Sequence, residues 1–251
     1  MSKVSEFYST LTWKEKAELY NTVAKDYEEI KRMNTVGHYV GEIGDFYYSR
    51  KEWVVKHDDQ GDYLFYIGNG ENVIFPDGCK TCRKMFLGFD KDYLDLDMFD
   101  PYGAEDMSYM FSGCKLEKID LHNFNTSKVR NMKRMFEYCV NVEYLNMKSF
   151  NTKRVENMSG MFYGCKTLEE VNIASFNTMS VKDMSEMFMG CTHLLSLDIS
   201  NFVATSLERK DNIFRHCGRI ALLDIGDMPL EDDYKFQRYE FEDVLTELRL
   251  Y

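Results

Sequence analysis

The spacing closest to a chemical motif is Cys79-Lys80-Thr81-Cys82, the single Cys-x-x-Cys in the chain. A structural zinc ion needs four ligands, and no second such pair follows. A redox-active pair would need the strand-to-helix setting of a thioredoxin-like fold. Cys82 also stands at the position that Met107 occupies one period later, which favours a place in the core. We therefore expect neither metal binding nor redox chemistry at this pair.

The histidines show no pattern of a catalytic or metal site. None stands at ligand spacing to another, and neither a nucleophile elbow nor an H-E-x-x-H motif is present. The sequence therefore predicts a protein that is not an enzyme and that needs no cofactor or metal. The five histidines are His38, His57, His122, His193 and His216.

An acidic segment after Phe89 is the strongest local charge feature, and only Lys91 compensates it. Its oxygen atoms are of the type that calcium prefers, but the EF-hand spacing is absent. A solvated acidic face is the alternative, and we favour it. The acidic residues are Asp90, Asp92, Asp95, Asp97, Asp100, Glu105 and Asp106.

The elements that position these residues are set by an internal repeat. The second methionine of a Met-x-x-Met-Phe unit recurs every 25 or 26 residues, at Met110, Met135, Met161 and Met187. Such a fixed period indicates a stack of structural repeats. About six repeats run from Cys82 to Met228, the first and last of them degenerate. Cysteines recur in phase, where a small apolar side chain suits a tight interior: Cys114, Cys139, Cys165, Cys191 and Cys217.

Each repeat carries two apolar patterns. Met158, Met161 and Phe162 fall on one face of a short helix or turn. The segment from Leu168 to Ile173 then alternates inward and outward as a strand does. The sequence thus predicts an α/β repeat solenoid, a leucine-rich-repeat-like right-handed coil whose strands form a parallel sheet. A column of phenylalanines is expected to stack along it, closed by Met228: Phe99, Phe124, Phe150, Phe176 and Phe202.

At this point the chain resembles a known family. The segment from Asn157 to Cys165, continued through Leu168, Ile173 and Phe176, is similar to the bacterial surface-protein repeat of about 26 residues. This BspA-like leucine-rich-repeat group also occurs in Mycoplasma-type lipoproteins. The resemblance covers residues 82–228 and implies a right-handed solenoid with a binding role, often at a cell surface. It implies no family-wide catalytic residues. The chain departs from the family in its N-terminal third, in its last repeat and in lacking surface-anchor signals.

The outward positions of the predicted strands are the candidate binding site. A central column holds Asp95, Asp120, Asn146, Asn172, Asp198 and Asp224, which we expect to hydrogen-bond along the sheet. The columns on either side of it do not repeat, and varied positions on a regular scaffold are where solenoids carry recognition. Tyrosines are enriched in binding hot spots. The candidate partner-binding residues are Tyr93, Asp95, Asp97, Lys118, His122, Tyr144, Lys148 and Glu170.

Segments of different character flank the repeats. Residues 1–34 are predicted to form a helix, with Thr12 and Glu15 as a capping box. Residues 35–81 are predicted to form a β-rich cap with a hairpin whose five-residue loop is Asp58 to Asp62. Residues 82–228 form the repeat region, and residues 229–251 a C-terminal cap. Either end has a second interpretation as a docking or detachable peptide.

Composition narrows the function classes. The chain has 251 residues and a net charge of −11, which argues against a binder of phosphate backbones. The first residues lack the pattern of a secretory signal, and no apolar run is long enough to cross a membrane. Seven cysteines without a disulfide pattern fit a reducing compartment. We expect a cytoplasmic protein, or a surface or secreted one if a leader has been removed.

The expected function is a non-catalytic module that binds a protein partner through its strand face. One alternative is a phage or mobile-element inhibitor that blocks a basic host enzyme by binding or by charge mimicry. A second alternative, which the family resemblance implies, is a bacterial surface adhesin. We expect no small-molecule substrate, and nucleic acid is disfavoured as a partner.

Overall fold

A computed structural model describes residues 52–76, 79–217, Ile220 and, for the backbone, 222–224. The predicted N-terminal helix, residues 35–51 of the predicted β-rich cap and the predicted C-terminal cap lie outside the described residues. So does Met228, which was expected to close the phenylalanine column. Within the described part there is no helix, and therefore none that is long and apolar enough to cross a membrane.

In the described part of the chain, six strands form two sheets. In the first, β1 (Trp53–Asp58) and β2 (Gly61–Tyr66) pair antiparallel. In the second, four three-residue strands lie side by side in chain order. They pair in parallel and are β3 (Tyr144–Asn146), β4 (Glu170–Asn172), β5 (Ser196–Asp198) and β6 (Leu222–Asp224). The second sheet contains one strand from each of four successive repeats.

We number the repeats from their first core position: repeat 1 (82–106), repeat 2 (107–131), repeat 3 (132–157), repeat 4 (158–183), repeat 5 (184–209) and repeat 6 (from 210). Each begins with a turn segment in which three overlapping turns replace the helical turn that the methionine spacing allows. In repeat 4, Met161 N bonds to Met158 O, Tyr163 N to Gly160 O and Cys165 N to Phe162 O. Every bond joins residues three apart, so no helical ladder forms.

The intervening amides of the turn segments bind the next repeat. In repeat 3 the N–H groups of Met132, Arg134, Phe136 and Tyr138 donate at 2.7–2.9 Å to carbonyls 25 residues later, the first at the last residue of repeat 3 and the other three in repeat 4. The same four bonds recur in repeats 1 to 5. The alternation requires a left-handed residue in the middle of each unit, with φ of 52–59° whether or not it is glycine, as at Arg134 (φ 52) and Gly160 (φ 58). That residue prevents the turns from continuing as a helix.

Repeat length decides where strands form. Repeats 1 and 2 have 25 residues and no strand, whereas repeats 3 to 5 have 26 and one strand each. The missing residue lies between the cysteine position and the strand: Asp120 follows Cys114 by six residues, but Asn146 follows Cys139 by seven. Among the described backbone groups, residues 117–120 make no hydrogen bond to the neighbouring repeats. We infer that the shorter turn draws this segment out of the ladder.

Two stacked phenylalanine columns fill the interior. Phe99, Phe124, Phe150, Phe176 and Phe202 stack in the order that the spacing predicts, with ring centroids 5.6–6.5 Å apart. A second column is formed by Phe86, Phe111, Phe136, Phe162, Phe188 and Phe214, with centroids 5.2–5.8 Å apart. Aromatic stacking adds to the free energy of burial, so equivalent residues bind successive repeats together.

The β1–β2 hairpin packs on repeat 1. Its loop is Asp59-Gln60, shorter than the five residues expected, because the pairing continues to Asp58 and Gly61. Tyr66 donates its backbone N–H to Met85 O at 2.8 Å, and its ring lies 5.5 Å from that of Phe86. The carboxylate of Asp58 accepts bonds from Arg83 (2.7 Å) and Lys84 (2.6 Å). The hairpin therefore extends the aromatic core and covers the first repeat.

Candidate protein-binding face

The strand face consists of the outward side chains at the strand positions of repeats 1 to 5. Of the eight candidate residues, Asp95 is half-buried and the others are exposed. Tyr93 is 62% exposed and Tyr144 47% exposed, and neither ring contacts another aromatic or a cation among the described residues. The buried alternate residues, such as Leu145 and Val171, fix the outward direction of their neighbours. The strand face thus carries two unpartnered tyrosines, each one residue before its repeat's inward strand position.

The central column has a local role that differs from the expected bonding along the sheet. Asp95, Asp120, Asn146 and Asp198 each accept a hydrogen bond from the backbone N–H two residues later, at 2.9–3.2 Å. Asp and Asn favour such turns because their side chains reach the backbone nearby. Each of these residues therefore forms a turn directly after the strand position of its repeat. A carboxylate oxygen and an amide oxygen can both accept this bond, which explains why the column contains both Asp and Asn.

The surroundings of Tyr93 are acidic. Partial burial raises the pKa of its hydroxyl, and the carboxylates of Asp95, Asp97, Asp120 and Glu71 raise it further. The negative potential that opposes the phenolate also attracts a cation. The structure thus brings the acidic segment and the first candidate tyrosine together.

Near the acidic segment, Asp97 lies beside two possible ligands of the next repeat. Ligand atoms of Asp97, Asp120 and His122 lie within 4.8 Å of one another. His122 Nδ1 lies 2.8 Å from Asp120 Oδ1. Burial alone would raise the pKa of the Asp120 carboxyl, but the hydrogen bonds from His122 lower this pKa below its ordinary value. All three side chains are exposed, and exposed carboxylate groups of this kind are common on solvated surfaces.

The Cys79–Cys82 pair lies in the core. Cys79 Sγ donates to Thr81 O at 2.9 Å, and burial raises the pKa of this thiol to about 12. Burial likewise raises the pKa of Cys82. Burial thus favours the protonated form of both groups, whereas the thiolate is the form that acts as a nucleophile.

The turn segments hold a cluster that the sequence did not reveal. Arg134 bonds to Glu137 at 2.5 Å and to Glu186 at 3.0 Å, which joins repeats 3 and 5. Tyr138 contacts the ring of Tyr163 edge-on, with centroids 5.2 Å apart. Tyr138 has φ of 54° at a position where repeats 1, 2, 4 and 5 have glycine, and that exception is the one signal in the sequence. The charges of this cluster are already paired.

A second unanticipated feature lies beside the strand face. Four exposed carboxylates, here named the acid row, occupy equivalent positions in repeats 1 to 4: Asp92, Glu117, Glu143 and Glu169. Each stands three residues before the central column. The 25- or 26-residue period brings these four residues into register, one position before the column that contains Tyr93 and Tyr144.

The comparisons place the chain in a family. The model of the family described as "Mycoplasma protein of unknown function, DUF285" matches residues 80–171 and 105–225. No curated protein matches significantly, and no solved structure does. The matched segments coincide with the stacked repeats and span more than half of the 251 residues. The chain therefore belongs to the DUF285 family of Mycoplasma-type proteins.

Proposed function

We propose that this chain is a non-catalytic protein-binding module whose repeats are of the BspA-like leucine-rich type and whose strand face recognises a protein partner. The proposal extends the family assignment from membership to architecture and role. Parallel strands, one per repeat in repeats 3 to 6, support the architecture.

The observation that carries the proposed role is the contrast between interior and strand face. The interior repeats the same residue types from repeat to repeat, because each must pack against its equivalent. The strand face instead presents Tyr93, Lys118, Tyr144 and Glu170 at one position. Stability of the stack does not require this variety, and exposed tyrosines supply large, rigid contact areas in protein interfaces.

The test begins with capture of the partner by chemical cross-linking in the native cell, followed by measurement of its Kd with purified proteins. We expect the double variant Tyr93→Ala/Tyr144→Ala to bind roughly tenfold or more weakly, since a hot-spot aromatic contributes more than about 1 kcal/mol. The matched control is Tyr102→Ala/Tyr138→Ala, which removes two tyrosines that are 53% and 46% exposed elsewhere.

The two variants together make the result decisive. Retained secondary structure and an unchanged Tm establish that both variants fold. Weakening by the strand-face pair alone supports the proposal. Equal affinity of the wild type and the strand-face pair, or equal loss in both pairs, contradicts it.

A further inference from the structure

The acid row is a run of like charges on neighbouring repeats. Glu169 donates its backbone N–H to Glu143 O at 2.9 Å, and Leu195 donates to Glu169 O at 3.0 Å. Side chains at such adjacent positions are about 5 Å apart, where like charges destabilise a sheet. Within the described part of the chain, none of the four carboxylates forms an ion pair.

A second charged column of the same molecule behaves in the opposite way. It alternates in sign through Glu105, Arg130, Glu156, Lys182 and Glu208. Glu156 accepts bonds from Arg130 at 2.9 Å and from Lys182 at 2.7 Å. The backbones of successive members are joined at 2.7–2.8 Å. We name this set the alternating column. In the alternating column, charges of opposite sign on neighbouring repeats form ion pairs. The acid row differs because its charges all have the same sign.

The acid row borders the exposed tyrosines. Tyr93 follows Asp92 in the chain, and Tyr144 follows Glu143. A lysine or arginine side chain gains both from a carboxylate and from the face of an aromatic ring. The row therefore combines uncompensated negative charge with two rings that no described residue covers.

We propose that the acid row and the two tyrosines form a docking surface for a lysine- and arginine-rich segment of a protein partner. This proposal rests on the proposed function and names the chemistry of the partner. Hydrogen bonds between the turn segments hold successive repeats at about the spacing of paired strands, so three such steps make the row about 14 Å long. An extended segment of about five residues spans that distance.

The geometry favours such a segment over a single cation. A metal ion needs ligands that converge on one point, whereas the acid row is a line. Among the described residues, the group close enough to share an ion is Asp97, Asp120 and His122, which contains no member of the acid row. A line of charges suits a partner whose own charges are spread along a chain.

The probe for the test is a fluorescein-labelled ten-residue peptide of alternating arginine and serine. Its binding to the full chain is measured by fluorescence anisotropy. The row variant is Glu117→Gln/Glu143→Gln/Glu169→Gln, and the matched control is Glu105→Gln/Glu156→Gln/Glu208→Gln in the alternating column. Both change the net charge equally. We expect the row variant to bind about tenfold more weakly and the control within about twofold of the wild type.

Three outcomes overturn the proposal: no binding to the wild type, equal weakening by row variant and control, and no weakening by the row variant. Equal weakening would mean that the peptide senses net charge alone. The tyrosine variants separate this proposal from the proposed function. Suppose that a captured partner binds Tyr93→Ala/Tyr144→Ala more weakly but binds the row variant as tightly as the wild type. This result would support binding through the strand face and would contradict a basic partner segment.

Discussion

At the scale of single residues, buried threonine hydroxyls join the repeats. Thr152 Oγ1 donates to Asn177 O at 2.9 Å and accepts from Asn177 N at 2.7 Å. Thr126 and Thr178 make the same pair of bonds with the repeats that follow them. One side chain thus satisfies both polar groups of a backbone unit in the next repeat, at a position inaccessible to water.

Thr152→Val tests this role. The substitution keeps the shape but leaves an N–H and a carbonyl of Asn177 without their partner. We expect a loss of about 1–3 kcal/mol in the free energy of unfolding, measured by urea denaturation. Thr205→Val is the control, because the exposed Thr205 makes a single long bond of 3.3 Å to Met179 O. Equal effects of the two substitutions would contradict the argument.

Asp58 anchors the hairpin through two cations. The hydrogen bond from Arg83 has the largest effect and lowers the pKa of the Asp58 carboxyl. Burial raises this pKa, and the bond from Lys84 lowers it further. The pKa therefore lies below its ordinary value of 3.8. The unfolded state therefore binds the proton more readily. The stability from Asp58 is fully present above about pH 4 and is lost as the pH falls below that value.

Removing the carboxylate should release the hairpin. Arg83 is 5% exposed, so Asp58→Ala leaves a buried charge without its carboxylate partner, and we expect a loss of about 3 kcal/mol. The acid-induced loss of stability between about pH 4 and pH 2 should also become smaller in this variant. Urea denaturation at several pH values measures both effects. A loss that is the same size and has the same pH dependence as that of Asp59→Ala would argue against the anchor.

At the scale of elements, one residue distinguishes a repeat with a strand from one without. Asn141 lies in the longer turn of repeat 3 and bonds through Nδ2 to Lys115 O at 2.8 Å. Repeat 2 has one residue fewer between Cys114 and Leu116. Its outward side chains, Lys118 and Asp120, are consequently held by the chain on either side rather than by a ladder.

Inserting an asparagine after Lys115 should extend the sheet by one strand. We expect the backbone amides of residues 118–120 to pair with β3 and to exchange their hydrogens at least about tenfold more slowly, since each tenfold corresponds to about 1.4 kcal/mol of protection. Hydrogen exchange with mass spectrometry measures this. The control insertion is after Gln60 in the β1–β2 loop. Unchanged exchange in a folded insertion variant would show that repeat length does not control the ladder.

The sequence predicts the columns better than the elements. Inward positions recur at every repeat, so the phenylalanine column could be read from spacing alone. Met158, Met161 and Phe162 fit a helical turn and overlapping turns equally well, because both bury the same three side chains. Non-glycine residues such as Arg134 give no sign of a left-handed backbone, which the neighbouring repeats impose. The missing strands of repeats 1 and 2 depend on a single residue within a turn.

For the candidate site, the sequence located Tyr93 and Tyr144 at outward positions because their neighbours are apolar at strand spacing. It could not show that no described ring or cation covers them. The sequence did not predict the pairing of Arg134 with Glu186 because these residues are two repeats apart. Likewise, the local bonds of the central column depend on backbone geometry and not on residue type.

At the scale of the whole molecule, buried thiols run along the whole described stack. The column cysteines lie in repeats 2 to 6, and Cys79 and Cys82 lie at the start of the stack. Sγ of each column cysteine donates to a phenylalanine carbonyl of the preceding repeat, as Cys165 does to Phe136 at 2.9 Å. Burial raises the pKa of Cys114, Cys165 and Cys217 to about 12. Burial therefore disfavours the thiolate form in the folded state.

The expected consequence is alkaline denaturation. The folded-state pKa is raised, so the stability is fully present below the unfolded value of 9.0 and is lost as the pH rises towards about 12. Each buried thiol contributes up to about 1.4 kcal/mol per pH unit in that window. In the variant Cys165→Ala/Cys191→Ala, the free energy of unfolding should fall less steeply between about pH 9 and pH 11 than in the wild type, as measured by urea denaturation. Iodoacetamide labelling of the native protein at pH 8 provides a second check, since rapid labelling would contradict burial.

The turn segments give the stack a direction. Along them, the linking N–H groups belong to the earlier repeat and the carbonyls to the later one. One end of such an array consequently offers oxygen atoms and the other offers hydrogens. Two copies can join through these groups only head to tail, which is the geometry of an open filament and not of a closed dimer. The β1–β2 hairpin covers repeat 1 and occupies Met85 O with the N–H of Tyr66, so we expect it to oppose growth of a polymer from that end.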